Sequence, residues 1–162
     1  MALHMTEVND ELGSFLLGAR RRTYAAQNSS DRVPSLLADS TQFEFAQGDW
    51  YYRDLYFGVL RFTGIELVTY RGAAIWSMSY SGGIADESIA EEQSARVYDF
   101  LKRALRQDSV IAPSRGPKTY REGIYAYRND ANGSIERFHG HECITCNGEV
   151  AYELRCCGGN VQ

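Results

Sequence analysis

Arg61–Gly83 reads RFTGIELVTYRGAAIWSMSYSGG, and Arg137–Gly159 reads RFHGHECITCNGEVAYELRCCGG. The two stretches align without a gap. They share Arg61/Arg137, Phe62/Phe138, Gly64/Gly140, Glu66/Glu142, Thr69/Thr145, Gly72/Gly148, Gly82/Gly158 and Gly83/Gly159. A period this long marks an internal duplication of domain scale rather than a solenoid repeat. Within each stretch, apolar residues alternate with polar ones. A Gly follows Tyr70-Arg71 and Cys146-Asn147, where a tight hairpin needs φ > 0. Each stretch therefore predicts an antiparallel hairpin.

The match extends outward. GDWYYRD (48–54) resembles GIYAYRN (123–129) after a one-residue slip. ELGSFLLGAR (11–20) resembles RVYDFLKRAL (96–105) more weakly, with Phe15 over Phe100 and Ala19 over Ala104. Leu12, Phe15, Leu16 and Ala19 fall at helical spacing behind a cap at Asn9, and Arg20-Arg21-Arg22 close that helix. A second helix begins at Asp86 or Ser88 and continues through Val97, Phe100, Leu101, Ala104 and Leu105. Asn28–Ser40, with Pro34, and Ser109–Pro117 read as connectors. Strands are expected at Trp50–Phe57, Val59–Phe62, Ile65–Tyr70 and Ala74–Tyr80. A second set covers about 120–128, 134–138, 142–146 and 150–156. The expected fold class is α+β: two halves, about 9–83 and 86–159, each a helix followed by an antiparallel β-meander, related by a pseudo-twofold axis. Together they form a single domain over 9–159, with 1–4 read as a cloning remnant ahead of Met5.

The 162 residues suffice for a substantial core, and 44% hydrophobic with 23% charged content is globular. A net charge of -4 argues against a general nucleic-acid binder. No apolar run is long enough to span a membrane, and MALHMTEVND has no signal-peptide core. The expected compartment is the cytoplasm, where cysteines stay reduced. Asn28-Ser29-Ser30 and Asn132-Gly133-Ser134 fit a glycosylation sequon, which is then coincidental.

Candidate chemistry sits in a few places. His139, His141, Cys143, Cys146, Cys156 and Cys157 suggest zinc, with Cys143-x-x-Cys146 as half a site. Their counterparts in the first half, where Leu67, Tyr70 and Tyr80 stand against Cys143, Cys146 and Cys156, are ordinary strand residues. Cys143 and Cys146 also point to opposite faces of a strand. The expectation is four free thiols and no metal. Glu66 and Glu142 recur in Phe-x-Gly-x-Glu and are either an acid/base pair or structural partners of arginine. Arg115 in Arg-Gly-Pro can grip an anion. The eleven tyrosines suit both half-buried sheet faces and ligand pockets. The candidate ligand face carries Trp76 and Tyr80, joined by Trp50, Tyr52, Tyr125 and Tyr127, and rimmed by Arg53 and Arg115. No phosphate loop, dinucleotide fingerprint, His-Glu-x-x-His or nucleophile elbow is present, so no cofactor is expected.

Trp50–Gly58 (WYYRDLYFG), Phe62-x-Gly64-x-Glu66, Trp76-x-Met78-x-Tyr80-x-Gly82-Gly83, Arg115-Gly116-Pro117, Phe138-x-Gly140-x-Glu142 and Tyr152-x-Leu154 with Gly158-Gly159 resemble a bacterial domain family of unknown function. That domain occurs alone or behind a helix-turn-helix in predicted transcriptional regulators. The resemblance implies a bacterial cytoplasmic protein that senses or binds something, and carries over no catalytic residues. Nothing ahead of Asn9 reads as a helix-turn-helix, so direct nucleic-acid binding is not expected. The leading function is a non-catalytic small-molecule-binding or sensor module. The alternatives are a small enzyme using Glu66 and Glu142 with Arg115 as anion holder, and a structural or homo-oligomeric partner protein.

Overall fold

A computed structural model describes residues 2–24, 31–86, 88–108 and 111–161. Its elements, in chain order, are α1 (Ala2–Arg22), β1 (Arg32–Val33), β2 (Thr41–Gln47), β3 (Trp50–Gly58), β4 (Arg61–Tyr70), β5 (Ala73–Ile84), α2 (Glu91–Leu105), β6 (Thr119–Glu122), β7 (Tyr125–Ser134), β8 (Arg137–Cys146) and β9 (Glu149–Asn160). All nine strands join one antiparallel sheet in the order β1-β2-β3-β4-β5-β9-β8-β7-β6.

This corrects the α+β expectation. Over the described residues the molecule is mainly β, a single large sheet with two helices, and not two helix-then-meander units. What recurs is a hairpin. β4–β5 turns at Arg71-Gly72 and β8–β9 at Asn147-Gly148, with φ of 51 and 80° in the first and 51 and 87° in the second. Two positive φ values in a two-residue turn match the twist of the flanking strands. Both hairpins slip register at the same point, after Val68 and after Ile144. β5 and β9, the last strand of each meander, pair with each other instead of ending two sheets, and Tyr80 lies opposite Cys156. Fusing them removes two exposed sheet edges. Local alternation carries no signal for that long-range pairing.

Several boundaries also move. α1 begins well before Asn9, which lies inside the helix and donates from Nδ2 to Glu136 Oε1 at 2.8 Å. α2 starts at Glu91, after both Asp86 and Ser88. Gly64 does not end a strand; it pairs with Tyr56 and Tyr80 inside β4. The expected strand at 120–128 is a hairpin, β6–β7, turning at Gly123 with φ of 59°. Asn28–Ser30, Ser109 and Val110 of the expected connectors, with the first sequon, lie outside the described residues.

The core lies between the helices and one face of the sheet. α1 contributes Leu12, Phe15, Leu16 and Ala19, and α2 contributes Val97, Phe100, Leu101 and Ala104, all buried. Burying the Leu, Phe and Val side chains among these contributes roughly 1.5–3 kcal/mol each. Acidic Glu91 and Glu92 open α2 while Lys102 and Arg103 close it, as the helix dipole favours. The sheet answers with Tyr52, Val68, Trp76, Met78, Ile144, Tyr152 and Leu154. Among the described residues no helix is long and apolar enough to cross a membrane.

Candidate functional site

Strand alternation sets an unusual row on the covered face. Asp54 on β3 lies opposite Glu66 on β4, and both are buried. Burying two carboxylates side by side is unfavourable unless cations and hydrogen bonds compensate. Arg20, on the last turn of α1, supplies the first cation. Its Nε and Nη2 donate to both Glu66 oxygens, at 2.6 Å for Nη2–Oε2, and its Nη1 donates to the carbonyls of Pro113 and Ser114 at 3.0 and 3.1 Å. Fork-shaped pairing of this kind is the strongest form of ion-pair hydrogen bonding.

Asp54 receives a hydrogen bond from Tyr80 Oη at 2.5 Å. Tyr80 reaches it by passing over Gly64, where an added Cβ would come within 2.5 Å of the tyrosine oxygen. Burial, and then the neighbouring Glu66 charge, push the Asp54 carboxyl up to about 7, against the Tyr80 hydrogen bond and the Arg115 and Arg20 charges. The Tyr80 hydroxyl is itself pushed far up by burial and by Asp54. Asp54 therefore exchanges its proton near neutral pH.

Above this row lies a cavity of about 460 Å³. Its floor is Arg20, Asp54, Glu66, Tyr80 and Arg115, all buried. Its walls are Tyr24, Tyr52, Tyr56, Phe62, Tyr98 and Leu105. Exposed Arg32, Gly58 and Val59 stand at its mouth with half-buried Lys102. Tyr98, on α2, is tied down by donating to the Leu60 carbonyl at 2.8 Å, and burial raises its hydroxyl to about 12. The dimensions and mixed lining are those of a small-molecule pocket.

Arg115 comes from the connector before β6 and stacks its guanidinium on Tyr24 and Tyr80, 5.7 and 5.4 Å from the ring centroids. Its charge partner is Glu142, but the Nη1–Oε2 separation of 3.7 Å is too long for a hydrogen bond. Among the described residues, Arg115 Nη1 and both Glu142 oxygens have no hydrogen-bond partner. Burial pushes the Glu142 carboxyl up, against the pull of Arg115 and Arg20.

The structure divides the residues expected at the site. Tyr52, Glu66, Tyr80 and Arg115 line the cavity, whereas Trp50, Arg53, Trp76, Tyr125, Tyr127 and Glu142 do not. Trp76 is fully buried core, its indole N–H donating to the Ile135 carbonyl at 2.9 Å. Trp50 packs against Phe15 and Tyr70, and Tyr125 against Phe100. Tyr127 is buried, and Arg53 pairs with Glu44 instead, at 3.0 Å. Glu66 and Glu142 each have their own arginine, and only Glu66 reaches the cavity. Sequence reasoning missed Arg20, Tyr24, Asp54, Tyr56, Tyr98 and Lys102. Asp54 carried a usable signal: it aligns with Asn129, a change of charge at a matched position.

The cysteines follow the strands. Cys143 and Cys146 lie in β8, and Cys156 and Cys157 are neighbours in β9, all as free thiols. Among the described residues no group of three His, Cys, Asp or Glu side chains is placed to hold a metal ion. His141 instead approaches Glu153, with Nε2 3.3 Å from Oε1.

The family described as a domain of unknown function (DUF5680) matches residues 54–161. No curated protein and no solved structure matches the chain.

Proposed function

The chain belongs to the DUF5680 family of domains of unknown function, and from that premise we propose that it is a non-catalytic small-molecule sensor acting in bacterial cytoplasmic regulation. The cavity carries this reading. It combines a ligand-sized volume, aromatic walls from both the sheet and the helices, and a buried charged floor. Two helices and a connector meet over it, so an occupant touching Tyr98 of α2 and Tyr24 after α1 bridges separately held parts of the chain. Ligand binding then biases how the helices sit on the sheet, which is the physical requirement for a sensor. The net charge of -4 argues against direct nucleic-acid binding.

An enzyme built on Glu66 and Glu142 has weaker support, because Arg20 holds both oxygens of the first and the second lies outside the cavity. A thermal-shift screen against a metabolite library tests the sensor reading. Hits are expected, and replacing Tyr98 with Ala is expected to abolish their shift. A library without hits, or hits indifferent to Tyr98→Ala, overturns it.

A further inference from the structure

We propose that the cavity takes a small aromatic carboxylate, its charge seated on the guanidinium of Arg115 and its ring among Tyr24, Tyr56 and Tyr98. This rests on the sensor reading and names its ligand class. The argument starts from the difference between the two buried arginines. Arg20 spends its donors on Glu66 and on the carbonyls of Pro113 and Ser114. Arg115 is 9% exposed and lines the cavity, and among the described residues its guanidinium makes no hydrogen bond: Nη1 faces Glu142 at 3.7 Å, which leaves the other nitrogens for the cavity side. A buried guanidinium with an unused donor is costly, and a planar anion placed against it recovers that cost.

The charge balance points the same way. On the floor, Arg20 and Glu66 cancel, and Arg115 cancels Glu142 behind it. Arg32 and Lys102 add positive charge at the mouth. Asp54 decides the remainder. It is faced by Glu66 from β4, Tyr80 from β5, Arg20 from α1 and Arg115 from the connector, while Tyr52 and Tyr56 flank it on β3 and Lys102 of α2 lines the same cavity. With Asp54 protonated, the site as a whole is cationic and receives an anion. With Asp54 ionised, a second negative charge beside the ligand opposes binding. Inorganic phosphate satisfies the charge but leaves the tyrosine walls uncovered, whereas a flat ring covers them. Anion binding therefore couples to proton uptake on Asp54.

The matched probes are 2-naphthoate and 2-naphthamide, which share a ring system and differ in charge, titrated calorimetrically into the full chain. At about pH 6 the carboxylate is expected to bind at least about tenfold tighter than the amide. That preference is expected to shrink several-fold by about pH 8.5 in the wild type and to stay constant in Asp54→Asn. The double variant Arg115→Gln with Glu142→Gln keeps the buried charges balanced and is expected to lose the preference while still binding the amide. Should that variant fail to fold, Arg115→Lys keeps the charge, loses the fork, and is expected to lower the preference. Equal binding of acid and amide, or a preference unchanged without the Arg115 guanidinium, overturns the proposal and leaves the sensor reading standing. Binding of neither probe also overturns it; joined to an empty library screen, it ends both readings.

Discussion

The two halves of the sheet place the same backbone under different chemistry. In β3–β5, Asp54 faces Glu66 and receives Tyr80 across Gly64. In β7–β9 the matched residues are Asn129, Glu142, Cys156 and Gly140. Cys156 is shorter than Tyr80, and Asn129 has no charge to relieve; its Nδ2 lies 3.5 Å from the Gly116 carbonyl. The Glu66 side has a saturated ion pair under the cavity, and the Glu142 side has a loose pair outside it. One hairpin geometry thus supports either a tightly held glutamate under a cavity or a loosely paired one away from it. The choice rests on a few side chains and on the arginine that the rest of the chain brings to each glutamate.

The sharpest way to break this comparison is to remove the cations in turn. Arg20→Ala leaves Glu66 buried without its partner, beside Asp54, and is expected to cost about 3–5 kcal/mol in denaturant unfolding. Removing the other cation together with its partner, Arg115→Gln with Glu142→Gln, breaks no hydrogen bond and leaves no unpaired buried charge, and is expected to cost only about 1 kcal/mol. Comparable losses would mean that the two sites are energetically alike.

The matched glycines offer a second contrast. A Cβ on Gly64 meets Tyr80 Oη at 2.5 Å and the Leu55 carbonyl oxygen at 2.6 Å, whereas one on Gly140 meets nothing closer than Cys156 Sγ at 3.0 Å. Gly64→Ala is expected to destabilise by about 2–3 kcal/mol and Gly140→Ala by under about 1 kcal/mol. Thermal melts of the two variants decide whether the Tyr80 crossing is what requires the glycine.

Asp54→Asn copies the second half onto the first. The folded carboxyl titrates at about 7 against 3.8 for an unperturbed aspartate, so the folded state holds a proton that the unfolded chain has released. Stability then falls as pH rises from the lower value to the higher, and the loss is complete above it. Asp54→Asn is expected to flatten that decline and to gain roughly 2 kcal/mol at alkaline pH, an order-of-magnitude figure. A wild-type stability profile that rises through that window would contradict the assignment.

The smallest effect concerns the thiols. Burial raises Cys156 to about 11, while Cys157 is exposed. A thiol reagent is expected to label Cys157 first and Cys156 far more slowly in the native protein, and four thiols per chain after denaturation. Fewer than four would point to oxidation or bound metal.

The gapless match between 61–83 and 137–159 and the Gly-punctuated alternation determined the hairpins, their turns and the apolar stripes of both helices, because those depend on neighbours a few residues apart. Glu66 and Arg115 were legible as candidates for the same reason: each stands in a short motif. The single nine-stranded sheet was not legible, since pairing β5 with β9 joins residues such as Tyr80 and Cys156 that are far apart in the chain. Nor was the cavity. Arg20 reads as a helix-ending cation until α1 lays it on Glu66, and Tyr98 reads as one more helical aromatic until α2 turns it over the floor. Which tyrosines line a pocket and which fill the core is set by what packs above them. Trp76 and Tyr80 share a strand face, yet only Tyr80 lies under open space. Periodicity assigns a side chain to a face; only the assembled layers decide whether that face meets protein or a void.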